Sequence, residues 1–297
     1  MSRGYDVDER DDSPQSPAIP EETRERDAGN RPVDRSAAQL PASGRPRHTD
    51  IRAMERWYAL GTRERETLKE VGRFRTIAAD DLLKHQYQGK TEAFRREIFD
   101  LQKQGLLRRC SISVGKNRDT LVIVSLTKKG AHLVRQDQKL PEKQAIYAGF
   151  VKPAEVPHDA AIYQMYQAEA AEIASKGGKI RRVVLDYEFK REVYSRLARE
   201  RDDGAVDYAR RQKEVAEEHG LPVVDGKIAL PDLRIEYETP EGDLSRVDLE
   251  LATEHYHRGH MSAKARAGFK MYGFVSTSRG RRAQWEGREL SATVLSL

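Results

Sequence analysis

The chain has 297 residues and a net charge of +5, with 34% charged and 38% hydrophobic residues, which is enough apolar content for two modest domains and a tail. It has neither a long apolar run of the membrane-spanning kind nor an apolar N-terminal stretch of signal-peptide type, so we expect a cytoplasmic protein without membrane contact. The single cysteine, Cys110, excludes an intrachain disulfide framework and a cysteine-rich zinc site.

The positive charge is concentrated in one stretch of the chain. Residues 51–135 carry 19 basic and 10 acidic residues, whereas residues 1–50 carry 8 and 11 and the remainder carries 26 and 27. Such a concentration is typical of a surface that contacts nucleic-acid phosphates, although a merely solvated charged surface gives the same count.

The chain begins with a segment that we expect to be a disordered tail, residues 1–50, because mixed charges alternate there with Ser, Pro and Gly and hydrophobic periodicity is absent. A first helix is predicted from Thr62, which is a suitable N-cap, to about Gly72. Thr76 is expected to cap a second helix.

A third helix is predicted from Lys90 to Gln104, because Phe94, Ile98 and Leu101 recur at positions i, i+4 and i+7. Its other faces would present donors to phosphates and base edges, as a recognition helix requires. The residues expected to bind DNA there are Lys90, Thr91, Arg95, Arg96 and Lys103.

Two β-segments follow, Leu106–Val114 and Thr120–Leu126, with a turn-forming sequence between them and a helix after them. Three helices followed by a two-stranded wing is the order of a winged helix-turn-helix, which we assign to residues 51–136. The hairpin adds four cations to the predicted DNA contacts, two at its base and two at its tip: Arg108, Arg109, Lys116 and Arg118. A winged helix used only for protein contacts is the alternative.

The remaining residues, 137–297, alternate between helical and extended patterns, which predicts a small α/β layer structure. The predicted elements are helix His158–Ser175, strand Arg181–Phe189, helix Lys190–His219, strands Leu230–Tyr237 and Arg246–Leu251, helix His260–Tyr272 and strand Phe274–Thr277.

Carboxylates recur on the two central strands of this second part. Asp248 and Glu250 lie on one face of their strand, and Asp232 at the start of the paired strand could approach them. Such a set of oxygen ligands suits Mg²⁺ or Mn²⁺, which would activate water for attack on a phosphate. The alternative is salt bridging of these carboxylates to Arg234 and Arg246.

The order helix, strand, Pro-Asp strand, acidic strand, helix resembles the PD-(D/E)xK nuclease fold, a restriction-endonuclease-like arrangement. The resemblance implies that Asp232 and Glu250 bind the metal and that a lysine orients the nucleophile. Ala252 stands at the position of that lysine, so Lys264 or Lys270 on the predicted last helix would have to supply a displaced ammonium group.

The whole arrangement resembles the replication-relaxation family of plasmids and integrative elements, over about residues 60–275. That family also pairs a winged helix with a nuclease-like domain. The matching residues are Leu126-Thr127 with Gly130, His158-Asp159, Pro231-Asp232, Glu250, Thr253, Lys270 and Tyr272. Ala252 departs from the family, whose members often carry an acidic residue there.

The sequence therefore predicts an α+β protein that binds double-stranded DNA in the replication, mobilisation or transcriptional control of a mobile element, with a non-catalytic nuclease-like domain. Two other functions stay open, a Mg²⁺-dependent endonuclease and an adaptor that recruits a relaxase, recombinase or transposase. A homodimer is plausible, because winged-helix proteins often read paired half-sites.

Overall fold

The computed structural model of the protein describes residues 49–53, 56–114, 119–141, 143–149, 152–199, 208–252 and 258–273. Within these ranges the chain is a mixed α+β protein with eight helices and eleven strands. None of these helices is long and apolar enough to cross a bilayer. The predicted tail of residues 1–50 lies outside the described residues, except that Thr49 and Asp50 belong to a strand.

The described residues of the first half of the chain form two hairpins and four helices. Its elements are β1 (Thr49–Ala53), β2 (Arg56–Leu60), α1 (Thr62–Arg73), β3 (Ile77–Ala78), α2 (Ala79–His85), α3 (Thr91–Lys103), β4 (Leu107–Val114), β5 (Asp119–Leu126) and α4 (Lys128–Arg135). β1 and β2 pair with each other, and an antiparallel sheet has the strand order β3-β5-β4. The predicted first and third helices and the β4–β5 hairpin are confirmed, whereas the β1–β2 hairpin was not predicted. The prediction that Thr62 is the N-cap of the first helix is wrong, because Gly61 occupies the cap position and Thr62 is the first residue of α1.

Helix α3 follows the predicted hydrophobic periodicity, since Phe94, Ile98 and Leu101 are all buried. Gly105 follows the end of this helix with a φ of +73°, a conformation that glycine adopts without steric cost. The prediction that Thr76 caps the second helix is wrong. The chain is extended after Thr76 because β3 pairs with β5, and α2 begins only at Ala79.

The junction between the β4–β5 hairpin and α4 gives a physical reason for Thr127 and Gly130 of the motif Leu126-Thr127 with Gly130. The hydroxyl of Thr127 donates to the carbonyl of Gly105 at 2.6 Å and accepts from the amide of Gly130 at 3.0 Å, which caps α4. A Cβ atom at position 130 would lie 2.2 Å from the carbonyl oxygen of Leu106. Only glycine therefore allows α4 to approach the start of the hairpin this closely.

The second half of the chain supplies four helices and the largest sheet. Its elements are α5 (Val156–Ser175), β6 (Lys179–Leu185), α6 (Asp186–Arg199), α7 (Tyr208–Glu218), β7 (Val223–Val224), β8 (Lys227–Ile228), β9 (Leu233–Glu238), β10 (Leu244–Ala252), α8 (Arg258–Arg266) and β11 (Lys270–Gly273). The four-stranded sheet has the order β11-β10-β9-β6. β10 pairs with β9 in antiparallel and with β11 in parallel orientation, with α8 in the crossover.

Three predicted boundaries in this half are wrong. The strand predicted through Phe189 ends at Leu185, because a helix begins directly at Asp186. The predicted helix Lys190–His219 is divided into α6 and α7. The predicted last helix ends at Arg266, and Lys270 lies on strand β11 rather than on a helix. The strand predicted at Phe274–Thr277 lies outside the described residues.

One hydrophobic core extends through both halves of the chain. The same buried cluster contains Leu101 of α3, Tyr163 of α5 and Leu249 of β10. A second, smaller cluster lies between the sheet and helices α6 and α7. Polar contacts also join the halves, since the Arg75 guanidinium lies 3.1 Å from a carboxylate oxygen of Glu155 and 3.7 Å from the centre of the Tyr187 ring.

Candidate functional site

The first candidate surface is the solvent face of α3. Its buried face holds Phe94, Ile98 and Leu101, and the opposite face carries the exposed side chains of Arg95, Arg96 and Lys103. Lys90 is exposed immediately before the helix and Thr91 is partly exposed in its first turn. The predicted DNA-binding residues of this helix are therefore all at least partly accessible to solvent.

Each arginine of this face lies near one carboxylate of the same helix. Arg95 lies 3.3 Å from Glu92, and these side chains are 71% and 87% exposed. Arg96 is 64% exposed and lies 3.6 Å from Glu97, whose carboxylate also accepts hydrogen bonds from Arg63. The exposed Arg95–Glu92 pair contributes little free energy because water screens it, and Arg96 shares the nearly buried Glu97 carboxylate with Arg63. Both guanidinium groups can therefore turn toward a phosphate or a base.

The β4–β5 hairpin, which follows α3 in the sequence, carries further cations. Arg108 and Arg109 are both exposed near the start of β4, and as neighbours on a strand they point to opposite faces. A ligand on one face of the hairpin would therefore reach at most one of them. The two cations predicted at the hairpin tip, Lys116 and Arg118, lie outside the described residues.

An aromatic residue that we did not predict lies at the centre of the same surface. Phe99 is 63% exposed on α3, although it is one of the largest apolar side chains of the helix. It lies one turn after Arg95 and one turn before Lys103, which places the three side chains in one row. Its position opposite the buried stripe could have been read from the helical periodicity.

The second candidate site lies at one end of the four-stranded sheet, where Asp232 and Glu250 meet. The backbone amide of Asp232 donates to Glu250 Oε2 at 3.3 Å, and Asp232 Oδ2 accepts from the amide of Leu251 at 2.9 Å. Glu250 is only 1% exposed. The two carboxylates that the sequence singled out are therefore neighbours, because β9 begins where β10 ends.

Each of these two carboxylates has a cationic partner. Lys264 Nζ on α8 lies 2.9 Å from Glu250 Oε1 and donates to the carbonyl of Leu230 at 2.5 Å. His158 Nε2 on α5 lies 3.6 Å from Asp232 Oδ2. Burial alone would lower the pKa of His158, but the carboxylates of Asp159 and Asp232 outweigh this effect and raise the pKa to about 10. The histidine is therefore protonated at neutral pH.

A third acid belongs to the same end of the sheet and was missed by the sequence reasoning. Asp186 follows β6, and its backbone amide donates to the carbonyl of Asp232 at 3.1 Å. Its carboxylate contacts Lys190 Nζ at 2.6 Å, and burial raises its pKa above the usual value. The residue was not singled out because the predicted strand continued through it. The acidic side chains Asp186 and Glu188 in the first turn of α6 were the available signal of a helix start.

Asp248, which was predicted to assist the acidic pair, has a different environment. Both of its carboxylate oxygens accept from the Arg234 guanidinium, at 2.6 and 2.8 Å. Arg234 is 3% exposed and also donates to the carbonyls of His219 and Gly220. Asp248 therefore neutralises a buried arginine that fastens the end of α7 to the sheet.

Lys270, the second candidate for a displaced ammonium group, faces away from Glu250. It pairs with Leu249 across the parallel strands, so the alternation of side chains places it on the opposite sheet face from Glu250. Its Nζ lies 2.9 Å from Glu169 and 2.6 Å from Glu172, both on α5. Of the two proposed lysines, the fold brings only Lys264 to the acidic pair.

The residues at the sheet end do not fit a divalent metal ion in this arrangement. A Mg²⁺ or Mn²⁺ ion needs several oxygen atoms open toward one point, but Lys264 and the protonated His158 already neutralise Glu250 and Asp232. Among the residues that the structure describes, no three His, Cys, Asp or Glu side chains are grouped to hold a metal. The arrangement is a network of ion pairs.

No family model matches the chain, and no curated protein matches its sequence significantly.

Proposed function

We propose that the protein binds double-stranded DNA through the solvent face of α3 and acts in the replication, mobilisation or transcriptional control of a mobile element. The observation that carries the proposal is the group of accessible cations Arg95, Arg96 and Lys103 on the side of α3 that faces away from the core. A helix with one buried face and one cationic face is suited to the major groove, where arginine and lysine reach guanine edges and phosphates.

The order of elements supports a winged-helix interpretation of this part. Helix α1, strand β3, helices α2 and α3 and the hairpin β4–β5 follow one another, and β3 joins the hairpin as a third strand. In such an arrangement the last helix before the hairpin is the reading helix, and the hairpin is the wing that contacts the adjacent backbone. The concentration of basic residues in the same part of the sequence agrees with this role.

For the second half we propose a nuclease-like fold that does not catalyse cleavage. The order α5, β6, β9, β10, α8, β11 contains the pattern on which the resemblance to the PD-(D/E)xK nucleases rests, with Asp232 and Glu250 side by side. The ion pairs of both carboxylates with Lys264 and His158 are the reason that we do not propose metal chemistry. We propose instead that this half recruits a mobilisation or recombination protein to the DNA.

The salt dependence of binding to a short duplex tests the DNA-binding proposal. A matched comparison uses Arg95→Ala/Arg96→Ala and Arg191→Ala/Arg196→Ala, since the second pair lies on α6 and removes the same charge from exposed positions. If both arginines of α3 contact phosphates, the slope of log K against log salt concentration falls by about 2 for the first variant and stays near the wild-type value for the second.

Two outcomes contradict the proposal. If the α3 variant binds duplex DNA as tightly as the wild type at every salt concentration, the cations of α3 are not the contacts. If the wild-type protein does not bind duplex DNA even at low salt, the protein is not a DNA reader. In that case stable capture of a relaxase, recombinase or transposase would favour the adaptor function.

A further inference from the structure

Phe99 is an apolar side chain in the middle of a cationic surface. Its exposed fraction is 63%, and Arg95, Arg96 and Lys103 surround it within one helical turn on either side. The helix does not need Phe99 for its own packing, because Phe94, Ile98 and Leu101 form the buried stripe. A phenylalanine at this position loses the hydrophobic free energy that burial would provide.

The chemistry of the major groove offers one apolar group that such a ring can contact. The C5-methyl group of thymine projects into this groove, whereas the other base edges present hydrogen-bond donors and acceptors. The flanking cations are complementary to the phosphates on both sides of the groove, so they would hold the ring against the bases. Two carboxylates also lie on this part of α3, Glu92, which is 87% exposed beside Arg95, and the partly exposed Asp100 directly after Phe99. The three cations outnumber them.

We infer that Phe99 determines sequence preference by packing against the methyl group of a thymine in the major groove. This inference rests on the proposed binding of duplex DNA by α3 and adds to it the kind of base that the helix selects. Arg95, Arg96 and Lys103 supply the affinity that all sequences share, and Phe99 supplies a preference for A·T pairs at the centre of the contact. Burial of one methyl group corresponds to about a fourfold difference in affinity.

The experiment begins with selection of tight-binding duplexes from a random pool by the wild-type protein. Each thymine of the selected site is then replaced by uracil, which removes only the methyl group and keeps the hydrogen-bonding pattern of the base. We expect one replacement to weaken wild-type binding about fourfold. The same replacement should not change the affinity of Phe99→Ala for the duplex. Tyr194→Ala, which removes a 58% exposed aromatic ring from α6, should lose affinity about as much as the wild type does.

The outcomes separate this inference from the proposed function. If the wild-type protein binds duplexes but no uracil replacement weakens binding, or if Phe99→Ala shows the same loss, the methyl contact is wrong and DNA binding stands. If selection enriches no thymine position, the inference is also wrong. If the wild-type protein binds no duplex, both proposals fail. The uracil series on the wild-type protein does not depend on the folding of any variant.

Discussion

The buried pair of Arg234 and Asp248 gives the sharpest test of the second half of the chain, because it separates a structural role of Asp248 from the catalytic role that the sequence suggested. In Asp248→Ala, the guanidinium of Arg234 stays buried beside Phe189 without its counter-charge. Breaking a buried ion pair by removing one partner costs about 3–5 kcal/mol. We expect a loss of this size in the free energy of unfolding.

Urea denaturation measures this loss. With a slope of about 3 kcal/mol per M of urea, the unfolding midpoint of Asp248→Ala should fall by about 1–1.7 M. Asp243→Ala is the matched control, since Asp243 is exposed at the turn before the same strand, and its midpoint should be nearly unchanged because exposed substitutions change stability by only about 0.5 kcal/mol.

A double variant, Arg234→Met/Asp248→Leu, tests the mechanism of the loss. It removes both charges, so it should be more stable than Asp248→Ala, because the cost of an uncompensated buried charge disappears. It should not recover fully, since the carbonyls of His219 and Gly220 lose their donor, at a cost of about 1 kcal/mol or more each. If Asp248→Ala unfolds at the wild-type urea concentration, the reasoning about this pair is refuted.

Three further predictions concern packing, pH and metal. Gly130→Ala should destabilise the protein by about 2 kcal/mol, because overpacking against a backbone carbonyl outweighs the helix propensity of alanine. Thermal melting measures this loss, with Gly61→Ala as the control, since a Cβ atom there would meet only a flexible side chain. Equal melting temperatures of the two variants would contradict the prediction. The raised pKa of His158 means that its charge stabilises the fold below about pH 6.5 and that this contribution disappears as the pH rises through about 10. The stability difference between the wild type and His158→Gln should therefore shrink over this range in urea titrations, and a constant difference would contradict it. Supercoiled plasmid incubated with the wild-type protein and Mg²⁺ or Mn²⁺ should stay intact. If the wild type nicks the plasmid and both Asp232→Ala and Glu250→Ala lose this activity, the protein is instead an enzyme.

The elements with a strong hydrophobic period could be predicted from the sequence alone. Phe94, Ile98 and Leu101 placed α3 within one or two residues of its observed ends. The β4–β5 hairpin was equally clear, because its two extended runs flank a polar turn sequence. In both cases the spacing of apolar residues within the element is enough to predict which of its faces is buried.

The boundaries that depend on neighbouring elements could not be predicted in the same way. Tyr187 and Phe189 continue the alternation of β6, so the start of α6 at Asp186 was hidden. Gly268 has a φ of +78° and separates α8 from β11, which was the available signal that the last helix stops before Lys270. That strand is defined by its parallel pairing with β10, a contact between segments that a local pattern does not contain.

The candidate site also contains residues that the sequence could predict and residues that only the tertiary structure brings there. Asp232 and Glu250 were found because the Pro-Asp sequence and the acidic strand follow a known order, and Lys264 was named as one of two possible cations. His158 and Asp186 reach the pair only through the packing of α5 and the end of β6. Their proximity depends on tertiary structure, so spacing in the sequence could not reveal it.

The core shared by both halves has a consequence for the proposed assembly on DNA. Backbone hydrogen bonds from Tyr147 to Gly72 and from Gly149 to Leu126, both 2.8 Å long, join the connecting segment to the first half. If the protein binds DNA and recruits a partner as proposed, a partner on the four-stranded sheet would not diffuse on a flexible tether above the duplex. It would be presented at one angle and one distance from α3, so its effective concentration at the neighbouring base pairs would be set by geometry rather than by linker length.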